Sequence, residues 1–281
     1  MEQTILIPID GTESVDKTLL YVRSISPKDA TRIVLMHVSP SINSVNAVVE
    51  IHPNVNAIHD ALLADDWKVE RETRLGDPVR EIIKMAILLP ATMILMSTHG
   101  RSGIERIREG SVTEQVLKQS PCPVFILHSE RQQPADNRTE DLFKRILVPL
   151  DGTEASAAIL TCVERFAKMH DSEVVLFHDE LEHAEYIEEK AAIKEKLQEH
   201  SVALANAGLK VSLDMTTYKR PIREILEKID SLKIDLVSMA THGSGGDKIA
   251  MDESVTAEVV RHSNCPLLVW SAEPQCPTVT H

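Results

Sequence analysis

Short apolar runs alternate with stretches whose apolar residues recur at helical spacing, and the alternation continues along the whole chain. In the first half, Thr4–Ile9, Arg32–Val38, Val69–Arg74, Met93–Ser97 and Val124–His128 read as strands. Several are unbroken aliphatic or β-branched runs, as expected where both faces of a strand are covered. Between them, Glu13–Ile25 carries Val15, Leu19, Leu20 and Val22 toward one face. Asp77-Pro78 is a helix start, with Asp as cap and Pro in the first turn. Val79, Ile82, Ile83, Ala86 and Ile87 follow at helical spacing. Ser111-Val-Thr-Glu114 reads as a capping box that opens a further helix.

The second half repeats the order, with strands predicted at Arg145–Leu150, Glu173–His178, Lys210–Thr216, Leu236–Ala240 and Leu267–Trp270. A strand–helix alternation of this kind predicts an α/β fold: a five-stranded parallel sheet with helices on both faces. The repeat is also literal. Ile5-Leu-Ile-Pro-Ile-Asp10-Gly-Thr-Glu13 recurs as Ile146-Leu-Val-Pro-Leu-Asp151-Gly-Thr-Glu154. Val34-Leu-Met-His37 recurs as Val175-Leu-Phe-His178. Further on, Pro78-Val-Arg-Glu-Ile82 matches Pro221-Ile-Arg-Glu-Ile225, Thr98-His-Gly100 matches Thr241-His-Gly243, and Cys122-Pro123 matches Cys265-Pro266. Anchors in one order mark a duplicated domain. The expected division is a first domain at 1–130, a linker at 131–143 and a second domain at 144–281. The polar stretch Ser129–Lys144 has little to bury and carries the join.

Composition narrows the function. With 281 residues, two domains are the natural expectation, and with only 3% aromatics the cores must rest on aliphatic residues. The net charge of −13 argues against a nucleic-acid partner, whose affinity needs basic surface. The N-terminal residues lack a signal-peptide pattern, and no apolar run approaches a bilayer span, so no membrane is expected and the expected location is cytoplasmic. Cys122, Cys162, Cys265 and Cys276 are widely spaced, form no CxxC pair and suggest reduced thiols rather than a zinc cluster.

In a parallel sheet, ligands sit beyond the carboxyl ends of the strands where strand order reverses. That rule selects Asp10-Gly11-Thr12, Val38-Ser39 and Ser97-Thr98-His99-Gly100. The stretch from Ser97 through Gly100, Arg101, Gly103 and Gly110 to Ser111 follows a strand and leads into a capped helix. Glycines let backbone N–H groups approach a phosphate, and a helix N-terminus favours an anion. Ser111 can offer its hydroxyl to a phosphate or spend it as the helix cap; Arg101 can add charge-assisted bonds. The loop is neither a Walker A motif nor GxGxxG, so on its own it reads equally as turn and cap glycines.

Five signatures in order resemble the universal stress protein family across nearly the whole chain, twice. They are Pro8-Ile-Asp10-Gly-Thr-Glu, Leu35-Met-His37-Val38, Gly76-Asp77-Pro78, Thr98-His-Gly100-Arg-Ser-Gly103 and Ser120-Pro-Cys122-Pro123-Val. The resemblance, to the tandem two-domain type, implies Rossmann-like domains of the adenine-nucleotide hydrolase-like kind. It implies an ATP site, with Mg²⁺, formed by Pro8, Asp10, Gly11, Thr12, Val38, Met96, Ser97, Gly100, Arg101, Gly103, Gly110, Ser111 and Val112. Asp10 and the backbone at Val38 would hold the adenine and ribose end; Gly100, Gly110, Ser111 and nearby amides would hold the phosphates. Ser97 departs from the family pattern, which has glycine there.

The second half departs further: Ala240 and Glu253 stand where the pattern has glycines, residue 257 is Ala, and Gly76-Asp77 becomes Lys219-Arg220. Poor or absent ATP binding is expected there. Other readings stay open. Asp10 and Asp151 each also read as only a helix cap. His99 and His242 read best as loop-shaping, and His37 and His178 as core or edge residues. Asp179-Glu-Leu-Glu-His183 reads as an exposed acidic helix start or, less simply, a metal site. Glu188–Glu199 reads as a solvated helix face. The functional expectation is a stress-response protein, not an enzyme beyond slow ATP hydrolysis, whose nucleotide biases its shape or its protein partners. The resemblance also implies an intramolecular pseudo-dimer, Val124–His128 pairing with Leu267–Trp270, with further homodimerisation open. The rivals are a scaffold without nucleotide, or a binder of a metal, acyl or sugar-nucleotide ligand in the second domain.

Overall fold

A computed structural model describes residues 3–11, 13–39, 52–98, 111–128, 142–179, 187–217, 220–241, 255–263 and 265–271. The chain divides into two compact units, Met1–Glu140 and Asp141–Pro274. Unit 1 contains strands β1 (Gln3–Pro8), β2 (Thr31–Ser39), β3 (Lys68–Leu75), β4 (Met93–Thr98) and β5 (Val124–His128). Its helices are α1 (Val15–Ile25), α2 (Pro53–Ala64), α3 (Pro78–Leu88) and α4 (Val112–Gln119). The strands are parallel and lie in the order β3-β2-β1-β4-β5. The chain winds outward from β1 through β2 to β3, then returns to the other side of β1 for β4 and β5. The strand order therefore reverses between β1 and β4.

Unit 2 repeats the plan with β6 (Arg145–Pro149), β7 (Glu173–Asp179), β8 (Lys210–Thr216), β9 (Leu236–Thr241) and β10 (Leu267–Ser271). Their order, β10-β9-β6-β7-β8, is that of unit 1 read from the other edge. Its helices are α5 (Glu154–Ala157), α6 (Leu160–His170), α7 (Ile187–Asn206), α8 (Pro221–Ser231) and α9 (Val255–His262).

Central strands are aliphatic because both faces are covered: Ile5, Leu6 and Ile7 of β1 and Ile33–Met36 of β2 are at most 1% exposed. The outer strand β3 instead carries Arg32–Glu70 pairing across to β2, with Nε–Oε1 2.9 Å and Nη2–Oε2 2.6 Å. Helix starts follow their caps. Ser14 accepts from the Lys17 N–H, Asp77 from the Arg80 N–H at 2.9 Å, and Ser111 from the Glu114 N–H at 3.2 Å.

Four expectations need correction. Helix α1 begins at Val15 rather than Glu13, because Ser14 is the cap. Asp10 does not cap it, and Thr153 rather than Asp151 caps α5, accepting from the Ser156 N–H at 3.1 Å. Ile87 is 64% exposed, since the buried stripe of α3 is Val79, Ile82, Met85 and Ala86 and Ile87 lies well round the helix from it. The stretch read as polar up to Lys144 ends in Leu142 and Phe143, both buried. Phe143 packs edge-on against Phe166 and His170, with ring centroids 5.1 Å apart in each case. The strand pattern also names no helix between β2 and β3, where α2 lies.

Candidate functional site

The carboxyl ends of β1, β2 and β4 meet at the reversal of strand order in unit 1. Register places Pro8 opposite Met36, and the Ile9 N–H continues the ladder to the Met36 carbonyl at 2.8 Å. Pro8, Val38 and Ser97 are half-buried at this edge, and Asp10 is exposed. Met96 is 5% exposed, so its side chain belongs to the core. Ser111 stands at the N-terminus of α4 with its hydroxyl on the Glu114 N–H, the cap alternative of the two its sequence allows. Val112 opens the helix and is 38% exposed. Thr12, His99, Gly100, Arg101, Gly103 and Gly110 lie outside the described residues, as do His242, Gly243, Glu253 and Ser254 of the second half.

The loop after β1 is organised by the last residue of its own motif, Glu13, and by residues some forty positions further on. Glu13 is 8% exposed and turns back, its Oε1 accepting from the Asp10 N–H at 2.8 Å and its Oε2 from the Gly11 N–H at 2.9 Å. Burial pushes the Glu13 carboxyl above the usual carboxylate range; the backbone N–H groups pull it back only in part, and the charge of Asp10 adds to the rise. Asn54, in the first turn of α2, donates to the carbonyls of Gly11 at 2.9 Å and Glu13 at 3.0 Å. The ring of His52, N-cap of the same helix, lies over Gly11. His37 bonds through Nδ1 to the Ile9 carbonyl at 3.0 Å, and His178 does the same to Leu150 at 2.7 Å. The duplicated histidines thus tie the second strand of each unit to the end of the first.

The same positions in unit 2 are built otherwise. Asp151 Oδ1 accepts from the Thr153 N–H at 2.9 Å and hydroxyl at 2.6 Å. Burial pushes the Asp151 carboxyl up, but hydrogen bonds from Ser156 and Thr153 outweigh it and hold the group below its usual range. Ile193 of α7 replaces the imidazole over Gly152, and Glu154 is exposed, 3.5 Å from Lys196. Val38 corresponds to Asp179, since 179 − 141 = 38 at the offset of the repeat. Asp179 accepts from Thr216 Oγ1 at 3.1 Å and from the Arg220 N–H at 2.8 Å. It thereby holds the N–H of Arg220, the N-cap residue of α8, which offers no side-chain cap of its own. The rest of the acidic cluster after Asp179 lies outside the described residues.

The paired cysteines are structural. Ser120 Oγ accepts from the Cys122 N–H at 3.3 Å, and Ser263 repeats the turn on Cys265 at 3.2 Å. Burial pushes the Cys122 thiol up to about 12, so it stays protonated and unreactive at neutral pH. Ellman titration of the native protein at mildly alkaline pH should therefore leave Cys122 unmodified, and denaturant should expose it. Rapid labelling of native Cys122 would contradict this burial. Among the described residues, no helix is long and apolar enough to cross a membrane.

The family model for the universal stress protein family matches residues 1–128 and again 142–270. A universal stress protein of Methanocaldococcus jannaschii is 37% identical over 73 residues, 25% of this chain and 43% of that protein. The chain thus spans less than half the length of that relative. One from Mycobacterium tuberculosis is 23% identical over 209 residues, 72% of this chain and 68% of the other. The crystal structure of a universal stress protein from Archaeoglobus fulgidus superposes with a TM-score of 0.66 at 21% identity, covering 96% of this chain and 98% of that one.

Proposed function

The chain belongs to the universal stress protein family as two tandem domains, and from that premise we propose that unit 1 binds ATP with Mg²⁺ while unit 2 does not. The observation that carries this is the contrast between two loops of one sequence. Asp-Gly-Thr-Glu follows the first strand of both units. In unit 1 Glu13 supplies the acceptors for the loop's own N–H groups. In unit 2 the Asp151 N–H goes to Ser156 Oγ instead, Glu154 is exposed beside Lys196, and Asp179 adds an acid where unit 1 has Val38.

The residues present in unit 1 suit a nucleotide. An exposed carboxylate at Asp10 suits hydroxyl and amine donors at the ribose and adenine end. The N-terminus of α4, beyond β4, suits phosphate. Ser111 accepts from the Glu114 N–H as the cap, which leaves its O–H as a donor toward a phosphate at the same helix end. Magnesium would supply charge neutralisation to the phosphates. In unit 2 an acid at position 253 opposes the same anion, and Asp179 stands where unit 1 has Val38 at the adenine and ribose end.

The protein acts in this reading as a cytoplasmic stress-response protein, not a committed enzyme: ATP in unit 1 biases conformation or protein partners, and hydrolysis is slow. Unit 2 serves a structural role. The test is the nucleotide content of freshly purified protein, followed by calorimetric titration with ATP and Mg²⁺. About one ATP per chain is expected from a single intact site. No binding at millimolar ATP would sink the reading, and two per chain would show that unit 2 retains a site.

A further inference from the structure

Asp10-Gly11-Thr12-Glu13 and Asp151-Gly152-Thr153-Glu154 are identical in sequence, yet the two loops are bonded differently. Part of the difference is local, since Ser156 takes the Asp151 N–H at 3.3 Å where unit 1 has Val15, and part comes from distant partners. In unit 1 both halves of the loop's peptide groups are held. Glu13 takes the N–H groups of Asp10 and Gly11, and Asn54 takes the carbonyls of Gly11 and Glu13. In unit 2 Glu154 is exposed beside Lys196, and its oxygens do not perform that task. A loop pinned at four backbone groups is pre-ordered before any ligand arrives, and pre-ordering removes a cost of binding.

We propose that Glu13 is the positioning residue of the unit 1 site, holding the Asp10–Gly11 backbone so that Asp10 is set for the ribose and adenine end of a nucleotide. The inference rests on the nucleotide reading of unit 1. Glu13 need not touch the ligand. Its oxygens face the loop, and Asp10 presents the exposed carboxylate.

The clamp also makes binding sensitive to acid. Asp10 is the charged neighbour that acts on the Glu13 carboxyl, and the adjoining elements bring Lys17 on α1, His37 on β2 and His52 at the start of α2. Lys17 is committed to the His128 carbonyl, His37 to the Ile9 carbonyl, and His52 to the Asn54 N–H. With its folded value raised above 4.5, Glu13 contributes stability that is full below that value and lost as pH rises through the folded one. When ionised, the clamp has two acceptors. As pH falls toward 4.5 it gains a proton ahead of an ordinary carboxylate and loses one of them.

The experiment combines ATP–Mg²⁺ calorimetry from neutral to mildly acidic pH with amide hydrogen exchange at Asp10 and Gly11 in the nucleotide-free protein. Wild type, Glu13→Gln and Glu13→Ala are compared, with thermal melting to establish that each is folded. Losing two hydrogen bonds to a charged group, Glu13→Ala should weaken ATP about ten- to a hundredfold and accelerate exchange at both amides. Glu13→Gln retains one acceptor and should recover part of the affinity. Its affinity should also lack the extra acid-side decline of wild type, with the titration of ATP itself common to both. Wild-type affinity in a folded Glu13→Ala overturns the positioning role. Unchanged exchange at Asp10 and Gly11 overturns the clamp whatever ATP does. If wild type binds no ATP but exchange accelerates in Glu13→Ala, the nucleotide reading fails while the loop clamp stands.

Discussion

Gly110→Glu is expected to abolish ATP binding by unit 1. The substitution copies into the first half the residue that the second half carries at the corresponding place, Glu253. A carboxylate there faces the phosphates. Two unit charges ~4 Å apart interact by roughly 4 kcal/mol at an effective dielectric of 20, which is about three powers of ten in affinity. Glycine also lets the backbone approach an anion closely, so the side chain obstructs as well as repels. Calorimetry with ATP and Mg²⁺ checks the loss, and an unchanged melting temperature without nucleotide shows that the fold survives. Retained micromolar binding in the variant would mean that the phosphates lie elsewhere. The reciprocal change, Glu253→Gly, should not restore a site to unit 2. Asp179 and the Asp151–Thr153 turn remain, and neither depends on residue 253.

That asymmetry was only partly legible in the sequence. Strands could be read to within about a residue because burial on both faces demands unbroken aliphatic runs, as in Ile5–Ile7 and Ile33–Met36. Caps at Asp77 and Ser111 were legible because their partners are three residues away. The Asp10 loop was not, because its geometry is set by Asn54 and His52, some forty residues on, in a helix the pattern does not name. The substitution of Val38 by Asp179 follows from the repeat offset alone. Its meaning does not, because Asp179 reaches Thr216 and the Arg220 N–H only once β7 and β8 lie side by side. The motif therefore identifies the strand ends that gather, while the second residue after it, Ser156 against Val15, and the distant Asn54 and His52 separate the two copies of one tetrapeptide.

The second large effect is expected at Gly11. Its φ of +98° lies in the region L side chains rarely adopt, and an added methyl would lie 2.5 Å from the Cδ2 and Nε2 of His52. The ring has little freedom to withdraw: its Nδ1 accepts from the Asn54 N–H at 3.2 Å as the N-cap of α2, and Asn54 itself holds the Gly11 carbonyl. Two costs therefore combine in Gly11→Ala. Positive φ costs an L residue about 1–2 kcal/mol, and forcing a methyl into filled space costs about 1–3 kcal/mol more. Gly208 separates them. Its φ is +93°, yet nothing lies within 4 Å of an added methyl. Gly208→Ala should thus cost only the conformational share, about 1–2 kcal/mol. Urea unfolding, each variant read against the wild-type transition of its own unit, should show the larger loss at Gly11. Combining Gly11→Ala with His52→Ala should recover the steric share and leave the φ cost, a coupling of about 1 kcal/mol or more. Equal losses at Gly11 and Gly208, or additive effects of Gly11→Ala and His52→Ala, would mean that the imidazole yields freely. The loop would then be pinned by Glu13 and Asn54 alone.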